Sequence, residues 1–290
     1  MDIGYFGLNQ GPFCDPENMA ALVKTLEQAG YESVWTGEHV VLMDPHEAPS
    51  PVPPETPFLD TIAALSFAAA HSRTLKLGSG IILLPQRNPV VLAKELAGVD
   101  VLSGGRLLFG VGAGYVPREF ETLGIPYAER GARMTEHIEV IRTLWTEERP
   151  TFDGRFTRIS GIQSHPHPRQ NPHSPIHVGG MSTAAHKRAV AHGNGWYGFF
   201  LDPGATEAAL KSLEEAAGQV ERPAGLGDLE ITITPPGPVD ADTMKRFEDL
   251  GVHRLVLMRS FEDMGPRADA EAKDRVMQFL EDTALELKLA

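Results

Sequence analysis

LKLGSGIILLPQRNPVVLAKELAGVDVLSGGRLLFGVGAGY, running from Leu75 to Tyr115, is the stretch whose reading decides the fold. Leu75–Leu84 and Arg106–Gly112 are apolar without polar alternation, the pattern of strands buried on both faces. Between them, Asn88–Leu102 sets Val91, Leu92, Ala93, Leu96 and Val99 at helical spacing. Strand, helix and strand make one βαβ unit with a right-handed crossover. Gly78, Gly80, Gly110, Gly112 and Gly114 fall at the carboxyl ends of the two strands, where parallel α/β proteins place ligands. This predicts backbone kept bare for a ligand's close approach.

The same alternation extends in both directions. Upstream lie a strand at Ile3–Leu8, a helix from Pro16 to Gln28 with Asp15 as N-cap, and a strand at Glu32–Thr36. A proline-rich loop, Asp44–Pro57, precedes a helix over Phe58–His71. Downstream, an acidic connector at Pro117–Leu123 leads to a long helix, Glu129–Trp145. Residues 147–175 interrupt the rhythm as an insertion: a hairpin at Thr151–Phe156 around Asp153–Gly154, then a proline-rich, lid-like loop from His165 to Pro175. Strands follow at Ile176–Val178, Gly195–Phe200, Leu229–Thr234 and His253–Met258. Their helices are one ending at His192, Thr206–Gln219, Asp240–Leu250 and Asp269–Leu287. Eight strand–helix pairs in 290 residues predict a single (β/α)8 TIM barrel over 1–290. An open doubly wound sheet is the alternative, but no GxGxxG follows the first strand.

Composition bounds the partners. The 26 basic against 39 acidic side chains leave −13, spread along the chain, which argues against nucleic acid and anionic membranes. A lone cysteine, Cys14, excludes an internal disulfide and a cysteine-based zinc site, and no apolar run approaches the ~20 residues that span a bilayer. A soluble, cytoplasmic protein acting on a small molecule is the expectation.

Polar residues directly after an apolar strand are candidates for chemistry, and Glu38 and His39 follow strand two in this way. Imidazole suits proton transfer because both its protonation states exist near neutrality. Ala113, Gly114 and Tyr115 end strand four, and Arg118 can reach a phosphate or carboxylate. Gly179, Gly180, Ser182 and Thr183 join a strand to a helix start, an anion-binding turn in which Ser182 also serves as N-cap. His165, His167, His173 and His177 alternate with proline and lack nearby carboxylates or a helical i,i+4 pair, which argues against a metal. Trp196 and Phe199 read as packing residues that edge the pocket, and His137 and Trp145 as packing on a long helix.

Four stretches, AGYESVWTGEHVV, residues 77–115, ERGARMTEHIEVIRTLW and PIHVGGMSTAAHKRAVAHGNGWYGF, together resemble the bacterial luciferase-like family of flavin- and deazaflavin-dependent oxidoreductases. The chain looks most like the branch that uses coenzyme F420. This resemblance implies hydride transfer between F420 and a small organic substrate, in a barrel that often pairs as a homodimer. It implies that Glu38 contacts the coenzyme and that His39 orients substrate or supplies a proton. It also implies a non-prolyl cis peptide at Gly80–Ile81 behind the ring, a coenzyme contact at Leu83, and a phosphate held by Gly179, Gly180, Ser182 and Thr183. Lys187, Arg188 and Arg118 are the cations available to the acidic coenzyme. A family member that oxidises sugar phosphate has a glutamate base where this chain has Tyr115, a poor base with a reference pKa of about 10. A less polar substrate is therefore expected. The alternatives are an FMN-dependent monooxygenase supplied with reduced flavin by a partner reductase, a non-catalytic flavin-binding barrel and, more distantly, a metal hydrolase.

Overall fold

The computed structural model describes residues 1–265 and 271–289. Eight parallel strands close into a barrel: β1 (Asp2–Phe6), β2 (Ser33–Thr36), β3 (Lys76–Ser79), β4 (Leu107–Gly112), β5 (Ile176–Gly179), β6 (Gly195–Phe199), β7 (Glu230–Thr234) and β8 (Arg254–Leu257). Each pairs with its neighbours in sequence, and β1 closes on β8 with Asp2 opposite Arg254. Around them lie α1 (Pro16–Gln28), α2 (Thr61–His71), α3 (Pro89–Ser103), α4 (Pro117–Thr122), α5 (Arg130–Thr146), α6 (Thr183–His192), α7 (Pro203–Ala217), α8 (Ala241–Asp249) and α9 (Ala272–Leu287). The predicted (β/α)8 architecture is the observed one. No described helix is long and apolar enough to cross a membrane.

Local chemistry explains the helix starts. Asp15, Asp60 and Asn88 each cap a helix by accepting two backbone N–H bonds, and Pro16 and Pro89 occupy first-turn positions whose N–H has no intrahelical partner. Gly104 ends α3 at a φ of 77°, the left-handed cap that glycine adopts without a Cβ penalty.

Three expectations need correction. The run Leu75–Leu84 is not one strand: β3 ends at Ser79, and Ile82–Leu83 re-pairs with Val111 and Gly112 of β4. At the break, the Ser79 hydroxyl donates to the Gly110 carbonyl at 2.8 Å and accepts from its N–H at 2.9 Å, so a side chain replaces the missing ladder bonds. The acidic connector is helix α4. The hairpin pairs Phe152 with Ile159 and Asp153 with Arg158, which moves its turn to residues 154–157. The last helix is described from Ala272, and Asp269 lies outside the described residues.

The glycines of β3 and β4 are bare chiefly for the protein's own atoms. A Cβ on Gly78 would lie 2.2 Å from the Trp35 indole, on Gly110 1.9 Å from the Ser79 carbonyl oxygen, and on Gly112 1.7 Å from Ile81 Cδ1. The barrel interior is therefore filled by the large side chains of one strand over the glycines of the next.

The amino-terminal end of the barrel is closed by charge. Arg254, 2% exposed, donates to Glu32 at 2.8 and 2.9 Å and to Glu230, with Asp2 at 3.5 Å. Burial opposes ionisation of Glu32, but the Arg254 bonds outweigh it and hold the carboxyl at about 2 instead of 4.5. A depressed folded pKa contributes stability that is complete above the unfolded value and is lost as pH falls through the folded one.

Two outcomes follow for urea unfolding. Gly110→Ala forces a methyl into backbone and costs about 3 kcal/mol, read as a lower midpoint at unchanged slope. Glu32→Gln costs roughly 3 kcal/mol at neutral pH, and the difference from the parent shrinks between about pH 4.5 and pH 2.

Candidate active site

At the carboxyl ends of the strands, a cavity of about 260 Å³ is lined by residues from seven of the eight strand ends or the loops after them. Its floor is Gly80, Ile81 and Leu83, and its walls include Phe6, Phe58, Tyr197, Phe199 and Phe261. The rim holds Glu38, His39, Tyr115, Gly114, Gly179 and Gly180. The volume lies just below the ~300–1,000 Å³ of ligand pockets and suits a flat ring better than a whole coenzyme.

The Gly80–Ile81 peptide bond is cis, at the position the resemblance implies. A Cβ on Gly80 would meet Tyr197 Cε1 at 2.9 Å and the Thr36 carbonyl at 3.2 Å. Ile81 is seated over Gly112 and Gly179, whose added Cβ atoms would lie 1.7 and 3.2 Å from its Cδ1. The floor is thus an isoleucine face made possible by glycines beneath it.

Glu38 is buried, and both its oxygens are engaged. Oε2 accepts from the Leu83 N–H at 2.5 Å, while Oε1 accepts from Arg87, which also bonds Asp60 at 2.8 Å. Burial pushes the Glu38 carboxyl up, opposed by the Arg87 charge and the Leu83 N–H. Glu38 therefore acts as a strut between the end of β2 and the segment after β3. The Leu83 N–H is engaged by that strut, which leaves the rest of Leu83 for the expected coenzyme contact.

His39 behaves differently. Its Nδ1 lies 3.1 Å from Oε1 of Glu119 on α4, and its ring stands edge-on to Phe58 and Tyr115 at 5.8 and 6.0 Å. Glu119 is the site residue that the sequence reading missed, because Pro117–Leu123 looked like an acidic connector in which Glu119 and Glu121 are equivalent. Tyr115, half-exposed, has its phenol pushed up by burial and then by the Glu119 charge, which makes it a poor base.

Other buried histidines are structural. His137 bonds the Leu84 carbonyl at 3.2 Å, His173 the Ser174 carbonyl at 2.8 Å and His186 the Ser212 hydroxyl at 2.8 Å. His177, in the barrel interior, is held neutral, its pKa lowered by burial to about 4. His165 and His167 stack on each other in the insertion loop. Among the described residues no group of three or more metal-ligating side chains converges.

Gly179 and Gly180 line the cavity at the start of α6, and Gly180 has a φ of 116°. Ser182 caps α6 by accepting from the Ala185 N–H at 3.2 Å, and Thr183 is its first residue. Both lie outside the cavity lining, as does Ala113. Trp196 is buried and donates to the Gly180 carbonyl at 2.9 Å, fixing this turn from below. Two of the expected cations are engaged elsewhere. Arg118 is exposed, 3.7 Å from Glu47 and outside the cavity. Arg188 bonds the Thr135 hydroxyl and the Gly131 carbonyl, tying α6 to α5.

The whole-chain comparisons agree with this architecture. An uncharacterised protein of Mycobacterium tuberculosis is 31% identical over 257 residues, covering 84% of this chain and 86% of that protein. Among solved structures, the monooxygenase RslO1 from Streptomyces bottropensis superposes with a TM-score of 0.77 at 21% identity, covering 99% of this chain and all of that one. An F420-dependent secondary alcohol dehydrogenase superposes at 0.74 and 17% identity, with 96% of this chain and 97% of that one covered. Both likenesses speak to the fold. The model of the luciferase-like monooxygenases matches residues 1–283, and the chain belongs to that family.

Proposed function

We propose that this protein is an F420-dependent oxidoreductase that moves a hydride between the deazaflavin and a small, neutral, largely apolar alcohol or carbonyl compound. The observation that carries this is His39, a single imidazole set on an apolar cavity whose floor is Gly80–Ile81. The residues present fit a flat coenzyme, since Ile81 offers an apolar face and Gly80, Gly114 and Gly180 leave the cavity edge without side chains. F420, when bound, supplies or accepts the hydride.

Ile81 and Leu83 would pack on the ring, with Ala113 and Gly114 along its edge. The turn Gly179–Gly180 and the first-turn amides at Ser182 and Thr183 would hold the phosphate, helped by Lys187 on α6. His39 holds the substrate oxygen and takes or returns its proton. Phe6, Phe58, Phe199 and Phe261 exclude water, which strengthens each polar contact inside. Among the described residues no lysine or arginine lines the cavity, and Glu38 does, so anionic substrates are disfavoured.

The second reading is an FMN-dependent monooxygenase with a partner reductase. One observation favours it: Arg118 and Arg188, expected to serve the acidic tail of F420, are occupied by Glu47 and α5.

Titrating the protein with F420 and with FMN, followed by absorbance and fluorescence, separates the two. F420 should bind at least roughly tenfold more tightly. Preferential FMN binding with oxygen consumption on reduced FMN would install the second reading. On a neutral secondary alcohol, His39→Ala should lower turnover by about 10²–10⁴ while leaving the coenzyme affinity in place.

A further inference from the structure

We propose that Glu119 is the positioning residue of this site. Its carboxylate holds His39 in the Nδ1–H tautomer and so leaves Nε2 as the proton acceptor. The inference rests on the proposed function only in taking this cavity as the reaction site.

Three observations carry it. Glu119 is 1% exposed, and its Oε1 lies 3.1 Å from His39 Nδ1. A carboxylate only accepts, so the ring nitrogen facing it donates. The second carboxylate oxygen, Oε2, is buried with no hydrogen-bond partner among the described residues. Glu119 thus has no competing structural bond, and a buried carboxylate kept with one partner is explained by that partner. His39 Nε2 has no protein partner among the described residues, while the ring lines the cavity.

The fold also fixes where Glu119 stands. Phe120, its neighbour on α4, is fully buried against Gly114, whose added Cβ would lie 2.8 Å from the Phe120 ring. Phe120 also meets Tyr127 edge-on at 5.3 Å. Gly114 is bare for this ring as well as for the cavity, and the ring seats the helix that carries Glu119. When a substrate alcohol is oxidised, its C–H hydride would go to the deazaflavin of the proposed function, while its O–H bond breaks and the proton forms an N–H bond at Nε2. The resulting imidazolium then faces the Glu119 carboxylate, the orientation logic of carboxylate–histidine pairs elsewhere.

The test reads the imidazole directly. Nitrogen-15 spectra of histidine-labelled protein, at a pH where the ring is neutral and with His39 assigned by its loss in His39→Gln, report which nitrogen carries the proton. The wild type should show Nδ1–H, and Glu119→Gln, which keeps an acceptor oxygen, should preserve it. Glu119→Leu should shift the ring to Nε2–H. An Nε2–H ring in the wild type overturns the proposal, as does an Nδ1–H ring that survives Glu119→Leu. Should the leucine variant fail to fold, the wild-type spectrum still decides. Coenzyme titration addresses the proposed function separately, so the two can fail independently.

Discussion

The seam between β3 and β4 is the constraint on which the site depends. Two strands meet there so closely that Gly110 has room for the Ser79 carbonyl and Gly112 for the Ile81 side chain, and for nothing more. The backbone ladder breaks at Gly80–Ile81, and the Ser79 hydroxyl repairs the break by bonding both polar atoms of the Gly110 peptide. A protein interior packed at crystal density transmits such a constraint instead of absorbing it. The seam lifts Ile81 into the cavity as a floor, and the chain beyond it delivers the Leu83 N–H to Glu38.

Two carboxylates beside the cavity are consequently put to different uses. Glu38 is saturated by Leu83 and Arg87 and works as a strut. Among the described residues Glu119 has one partner, His39, and an unpartnered oxygen held out of water. Carboxyl groups of the same chemistry differ in role because the structure satisfies one and leaves the other dependent on an imidazole. The opposite end of the barrel spends its charges on closure: Arg254 gathers Glu32, Glu230 and Asp2, in keeping with the division of barrels into a stabilising face and a reactive face.

Much of this was legible along the chain. Uninterrupted apolar runs alternating with helical periodicity, and caps such as Asp15–Pro16 and Asn88–Pro89, are local signals, and they mark the barrel with boundaries off by one to three residues at most ends. Glu38, His39, Gly80, Ile81, Leu83, Gly114, Tyr115, Gly179 and Gly180 do meet at one cavity. The partners of Arg118 and Arg188 could not be read locally, because Glu47, Thr135 and Gly131 are remote in sequence. The glycines were read as bare for a ligand, whereas Trp35, Ser79, Ile81 and Phe120 occupy most of the space they leave.

By itself the sequence determined the periodicity, the helix caps, the small residues at the strand ends and the family, because each is a property of neighbouring residues or of ordered motifs. Only the tertiary structure decided which of two glutamates on α4 meets an imidazole 80 residues earlier, since Glu119 and Glu121 differ in nothing but the direction their helix gives them. That direction is set by Phe120 packing on Gly114. It is a steric fact between chain segments, with no local signature to read.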